Sequence, residues 1–432
     1  MADSRVYRYR LGQFLLGGLC GARTGVTQRC DPAQPDFQTR LYSSGRFERR
    51  GISMHCRVLS ALILSLCFYL PAGASDTPKK VGIDELMQMV AAGQSMSDAD
   101  MEQKISGVSL TERLSGARLA ELTGRLPGEK SRLALMLVAD QSIFLPPPAG
   151  DVPTEAAPSA ESAQQMITRV VKYVNATVRQ LPNLMAVRLS NGFEDQPRED
   201  KMGRTGLESS FSLPLHWVGS MKVEVTCRNR QEAEDKSVKV EKKGTGVAGL
   251  ITGGEFGPIL SIVLADALKS KLTWTGWEKG SDGTLAVFHY QVAENNSNYH
   301  VKFCCIVVGY GTDARPSTRI ADERSAYHGD IVFSPEDGSI RRLTVEADPS
   351  AGALVTDAGM VVEYAATDIG GRSYICPVRS VSMLQAHTDQ QSGAILSSDH
   401  KSPIKTFVND VSFSQYRRFG SETKVLTNLP GN

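Results

Sequence analysis

The sequence predicts an α+β protein: an N-terminal helical region followed by a curved antiparallel meander sheet, a half-barrel, packed on a helix. Three observations predict it. Between residues 81 and 180 apolar residues recur three and four positions apart, the period of one helix face. From Leu184 onward β-branched and aromatic residues alternate with polar ones, and turn-forming clusters recur between these runs. A single helical stretch, from Pro258, interrupts the second region, so a parallel βαβ series is not expected.

The chain has 432 residues and opens with an unusual stretch. Residues 1–53 carry nine Arg and no Lys, without a sustained period. They read as upstream sequence from a misassigned start, expected to be disordered; an organelle transit peptide is the competing reading. From Met54, a short basic head (His55, Arg57), an apolar run from Val58 to Leu70 and the small-residue site Ala72-Gly73-Ala74 predict a signal peptide over 54–74. That run is too short to span a bilayer, which takes about 20 residues. The protein is therefore expected to be exported, to a periplasm or beyond the cell, with Ser75 as its first mature residue. The expected organisation is a helical region over 75–148, a linker over 149–162 and a helix plus β half-barrel over 163–430.

Charge excludes one class of partner. Ten of the 48 Lys and Arg and four of the 47 Asp and Glu precede Ser75, leaving 38 basic against 43 acidic residues. With no basic tract, nucleic acid is not an expected partner. Four cysteines follow the leader: Cys227, Cys304, Cys305 and Cys376. Setting aside the adjacent pair leaves two disulfide pairings open, beside buried thiols. No CxxC spacing points to zinc or redox chemistry.

The helices follow from period and punctuation. Val81 to Gly93 puts Leu86, Met87 and Val90 on one side. Ser97 is a helix N-cap by chemistry, because its short side chain accepts from orphan amides. Leu110 to Leu114 and Leu119 to Leu122 continue the helical period, and Leu126-Pro127-Gly128 breaks it. Leu133 to Phe144 forms the next helix, stopped by Pro146-Pro147-Pro148. Across Ala163 to Gln180, Met166, Val170, Val171, Val174 and Val178 form an apolar stripe.

The strands come as hairpins. Asp330 to Phe333 turns through Ser334-Pro335-Glu336-Asp337-Gly338-Ser339 into Ile340 to Glu346. Met360 to Tyr364 pairs with Ser373 to Leu384, and Leu272 to Trp277 with Thr284 to Val292. Further strands run from Tyr299 to Val308 and from Phe407 to Phe419. Nine to eleven antiparallel strands are expected, with one apolar face covered. Pro258 suits the first position of the intervening helix.

Little in the sequence carries chemistry. Gly244-Thr245-Gly246-Val247-Ala248-Gly249 fits G-x-G-x-x-G, but no helix opens directly after it, so no dinucleotide cofactor is expected. The same glycines fit a loop or flap over a cavity. His216, His289, His300, His328, His387 and His400 lack metal-ligand spacing, although His289 and His300 fall on neighbouring predicted strands. No G-x-S-x-G is present, and no enzyme activity is nominated. Trp274, Trp277, Phe288, Tyr290, Tyr299 and Phe303 cluster on adjacent predicted strands, as core or as the lining of a ligand surface.

The second half resembles the periplasmic lipoprotein-carrier superfamily, which includes the outer-membrane lipoprotein-sorting proteins and the sigma-factor regulatory sensor. The residues concerned are Tyr327 to Leu343 with its Asp337-Gly338 turn, Val361-Val362-Glu363-Tyr364, Ile369 to Pro377, and Val411 to Phe419. The resemblance covers about Trp274 to Leu426. The mature chain is also similar to a group of exported proteins of acidobacterial type, which brings no activity with it. The carrier resemblance implies a half-open barrel plugged by helices and an apolar ligand, a lipid or lipoprotein acyl chain. Trp274, Phe288, Ile331, Phe333 and Phe256 are then the expected ligand-binding residues, with no catalytic residue, metal or cofactor. The alternative is an envelope scaffold whose N-terminal helices dock a partner protein, with Met166, Val170 and Val174 exposed as an apolar stripe.

Overall fold

The computed structural model describes residues 78–418, apart from 197–199, 204–205, 210–211, 229–230, 235–239, 245–246, 253, 311–315 and 388–402. The leader and signal segments, Thr245 and Gly246 of the glycine motif, and His400 lie outside the described residues.

The N-terminal module has its own core. It runs β1 (Lys79–Val81), α1 (Ile83–Ala92), α2 (Asp98–Ser106), β2 (Val108–Leu110), α3 (Gly116–Thr123) and α4 (Glu129–Gln141). Leu86 and Val90 of α1, Met101 and Ile105 of α2, Leu122 of α3 and Leu135 of α4 share that core. Ser97 caps α2, its Oγ accepting from the Asp100 amide at 3.2 Å. The helical period predicted through Leu110 to Leu114 is not realised. Val108 and Leu110 instead alternate inward in β2, paired in parallel with β1. Ser115 then caps α3, accepting from the Arg118 amide. The pattern was ambiguous because leucines three to five apart also fit a strand followed by a new helix.

After α4 the chain runs through a 3₁₀ turn at Ala149–Asp151 into α5 (Ala160–Gln180). The strands that follow are β3 (Leu184–Gln196), β4 (Asp200–Gly203), β5 (Gly206–Ser209), β6 (Leu213–Arg228), β7 (Gln231–Glu234), β8 (Glu241–Gly244) and β9 (Gly249–Leu250). Helix α6 (Pro258–Ala267) precedes β10 (Lys271–Gly280), β11 (Gly283–Val292), β12 (His300–Tyr310), β13 (Pro316–Arg324), β14 (Ala326–Phe333), β15 (Ile340–Asp348), β16 (Val355–Asp368), β17 (Ser373–His387) and β18 (Ile404–Arg418). Pro258 takes the first turn of α6, and its cap Gly257 sits at φ 148°, a conformation that favours glycine.

Eleven of these strands make one antiparallel sheet, in the order β10-β11-β14-β15-β16-β17-β18-β3-β6-β7, with β8 also on β6. The sheet is not closed. It departs from a pure meander in two ways. First, β3 docks on the last strand, β18. Second, β12 leaves the sheet for a small one with β13 and β9. The residues of Tyr299 to Val308 alternate as a strand should, but alternation does not say which neighbour will pair.

The strand period divides the sheet's residues between two faces. Val362, Leu384 and Phe407 point to a front core shared with Met166, Val170 and Val174 of α5 and with Ile259, Leu260, Val263 and Leu264 of α6. Val361, Val381, Val408 and Phe193 point to the back, where Leu133, Met136 and Leu137 of α4 cover them. The stripe of α5 is thus buried by the chain's own sheet, at 9, 1 and 3% exposure for Met166, Val170 and Val174. It is not exposed as the scaffold alternative anticipated. Two buried ion groups tie the helical module to the back face. Arg113 and Arg342 meet on Glu278, and Arg379 reaches both Asp140 and Asp410.

Candidate functional site

The predicted ligand-binding residues separate into two places. Phe288, Ile331 and Phe333 lie together in the front core at 3% exposure or less. Phe288 stacks on Phe333 with ring centroids 5.5 Å apart. Trp274 stands opposite Phe288 in register and packs half-buried against the same core, edge-on to Trp277. These four are packed against protein. Phe256 is elsewhere, in a third core cluster with Phe413, which it meets edge-to-face at 5.4 Å.

Phe256 lines a small cavity. That cavity lies where α5 meets the start of α6, over the front face. Its walls include Tyr173 of α5, Leu260 of α6, and Ile340, Tyr364 and Ile375 of the sheet. Its volume is about 10 Å³, the space of roughly one water. The acid in the wall, Glu255, was not singled out from sequence. It is 2% exposed, and its Oε2 has no hydrogen-bond partner. Burial pushes its carboxyl above the ordinary 4.5, against the pull of its own backbone amide, Arg188 and Thr252. The Tyr364 hydroxyl donates to the Glu255 carbonyl at 3.1 Å, fixing the loop on the sheet. The signal that could have found Glu255 is an acid set among Gly254, Phe256, Gly257 and Pro258, where a surface turn would carry more than one polar residue.

A second polar group anchors α6. Asp266, fully buried, accepts from the Tyr327 hydroxyl at 2.9 Å and from the Asn298 backbone and side-chain amides at 2.7 and 2.6 Å. The Tyr290 hydroxyl donates to the Thr344 carbonyl at 2.6 Å. Burial pushes the Tyr299 phenol up to about 12 and raises Tyr290 and Tyr327 as well. These phenols stay protonated at any physiological pH and act as anchors.

The histidines fall into separate pairs. His289 and His328 lie on the back face with rings 5.9 Å apart. Each faces a carboxylate, Asp330 at 3.0 Å and Asp348 at 3.1 Å. His300 pairs instead with Asp322, on the β12–β13 ribbon, because β12 left the main sheet. His289 and His300, expected on neighbouring strands, therefore stand in different sheets. Among the described residues no group of three or more His, Cys, Asp or Glu is arranged to hold a metal ion. Cys227 and Cys376 are thiols buried in one cluster, and Cys304 is disulfide-bonded. Neither of the two pairings left open by the sequence forms, since both required Cys227 and Cys376 to be oxidised. Among the described residues no helix is long and apolar enough to cross a membrane.

No protein-family model matches the chain. No curated protein matches it either. Among solved structures, the outer membrane protein OmpT of Vibrio cholerae (in-vitro folded, trimer form) aligns with 54% of this chain and 100% of that chain. The identity is 10% and the TM-score 0.12, too low to argue from.

Proposed function

We propose that this chain is an exported binding module of the lipoprotein-carrier kind, seen with its ligand slot closed, and that the slot takes a lipid or lipoprotein acyl chain between sheet and helices. The observation that carries this reading is the cavity at the α5–α6 seam, apolar apart from Glu255 and the Tyr hydroxyls. An unclosed sheet of 11 strands with two helices on one face is the architecture the carrier resemblance implies. The curvature of a half-barrel belongs to this proposal as well.

Ligand sites for small molecules span about 300–1,000 Å³, so an acyl chain enters only if α5 and α6 separate. The energetics allow it. A sixteen-carbon chain gains on the order of 12 kcal/mol at about 0.8 kcal/mol per buried CH₂. Freeing Ile259, Leu260, Val263 and Leu264 of α6 costs about 1.5–3 kcal/mol each. Near-balance of this kind suits a protein that must take up and release its cargo.

The test is mass spectrometry of organic extracts from the mature chain, purified without detergent, beside fluorescence titration with an apolar probe. Co-purified acyl lipid and saturable probe binding are expected. A disulfide engineered between α5 and α6 should abolish both. Absence of lipid and probe from the unmodified protein would leave the second reading, an envelope scaffold. The packed front core is the observation that favours that one, and nothing in it requires a small molecule.

A further inference from the structure

A band of small polar residues crosses the front face, where a surface built only for acyl chains would be apolar. Asn409 of β18 stands opposite Ser382 of β17 and Gly192 of β3. One step along, Val411 stands opposite Ser380 and Ser190. Ser190, Ser380, Ser382 and Asn409 are all 5% exposed or less. They lie between Leu384 and Phe407 of the front core and Val411 and Phe413 of the third cluster. Val247, Ala248 and Gly249 lie over part of the band. Asn409 Nδ2 donates to the Ala248 carbonyl at 3.0 Å, and a side chain at Gly192 would meet Val247 at 3.4 Å.

This covered band is not satisfied. Ser380 Oγ, Asn409 Oδ1 and Glu255 Oε2 are buried without a hydrogen-bond partner. Buried polar atoms are almost always paired, so two in the band and one in the adjoining cavity wall mark a place where a partner belongs. Ser380 also stands opposite Val362, two residues from Tyr364 on the same strand face, and Tyr364 shares the cavity wall with Glu255. Band and cavity are therefore neighbours.

We infer that this band seats the head group of an amphiphile, an uncharged head bearing hydroxyl and ester oxygens, whose acyl chain follows the α5–α6 seam. The inference rests on the proposed function and names the class of its ligand. Serine hydroxyls and the asparagine amide offer donors and acceptors without charge, the complement of a glycerol ester. Glu255 Oε2, buried without a partner beside the cavity, adds a further polar atom. Arg188 acts on Glu255 across the same region, so a free fatty acid is the competitor to test.

The experiment is displacement of N-phenyl-naphthylamine from the full mature chain by monoolein, oleate and octadecene. Monoolein should compete at least tenfold better than octadecene. The Ser380→Ala, Asn409→Ala double variant should weaken monoolein roughly tenfold, the worth of one to two hydrogen bonds, and leave octadecene unchanged. Serine-to-alanine removes an orphan hydroxyl, so Ser380→Ala alone should fold, with a smaller loss in the same direction. Preference for oleate over monoolein would overturn the uncharged head. Equal competition by monoolein and octadecene, unmoved by the variants, would mean the band holds only water. Failure of the probe to bind the unmodified chain would overturn the parent reading, and this one with it.

Discussion

Arg342 grips Glu278 through two parallel hydrogen bonds, Nη1 to Oε1 at 2.6 Å and Nη2 to Oε2 at 2.7 Å. Arg113 of the helical module adds a third, to Oε1 at 2.6 Å. Two strands and the N-terminal module thus converge on one buried carboxylate. Removing it leaves two guanidiniums without their partner in a nearly dry interface. Glu278→Ala should cost about 3–5 kcal/mol, the usual penalty for orphaning a buried charge. Urea denaturation should show the loss. Burial alone would raise the Glu278 carboxyl, but the hydrogen bonds and charges of the two arginines hold it below the ordinary 4.5. Its stabilisation is therefore complete above that value and is lost as pH falls through the lower, folded one.

Asp140 should act in the opposite sense. Burial, followed by the charge of Asp410, raises its carboxyl well above the ordinary 3.8, and Arg379, 2.5 Å away, only partly opposes this. A group raised by folding stabilises below its unfolded value, and that contribution is lost as pH rises through the folded one. Asp140→Asn keeps a hydrogen-bonding side chain without the titration. The variant should show a flatter fall in urea midpoint than the unmodified protein as pH rises above the ordinary carboxylate value.

Gly338 lets the β14–β15 turn lie against α5. Its φ is +76°, and a Cβ there would fall 2.5–2.6 Å from backbone atoms of Arg169 and Val170. A neighbouring backbone cannot yield as a side-chain tip can. Gly338→Ala should destabilise by about 1–3 kcal/mol, the scale of strain at a left-handed residue. The melting temperature reads this directly, and Gly352→Ala, with φ +85° but nothing within 4 Å, isolates the conformational part.

Burial first, and then the neighbouring Cys227, pushes the Cys376 thiol up to about 12. The thiolate is the reactive form. Maleimide should therefore leave Cys376 unmodified in the folded protein at neutral pH and label it within minutes in denaturant. Rapid labelling of the native state would show that the β17 end of the third cluster opens readily.

Hairpins were legible because their signals are local. The Asp337-Gly338 turn, the alternation through Leu343 and Val345 and the Pro258 helix start each depend on a few adjacent residues. The stripe on α5 was equally plain, since its period alone demands an apolar partner. The site was less legible. Phe288, Ile331 and Phe333 are apolar strand residues in either reading, and only packing shows that they touch protein. Asn409 carries no signal in its own neighbourhood, and the glycine and proline setting of Glu255 is a faint one; what distinguishes both is a buried atom without a partner once folded.

Taken by itself, the sequence determined the order of helical and sheet regions, the inward face of most strands and the start of α6. All of these follow from backbone periods and turn chemistry within a few residues. Only the tertiary structure decided that β3 closes on β18, that β12 leaves the sheet, that α4 covers the back face and that Cys227 and Cys376 remain thiols. Those outcomes depend on contacts between residues far apart in the chain, whose pairing is chosen by the packing of whole faces.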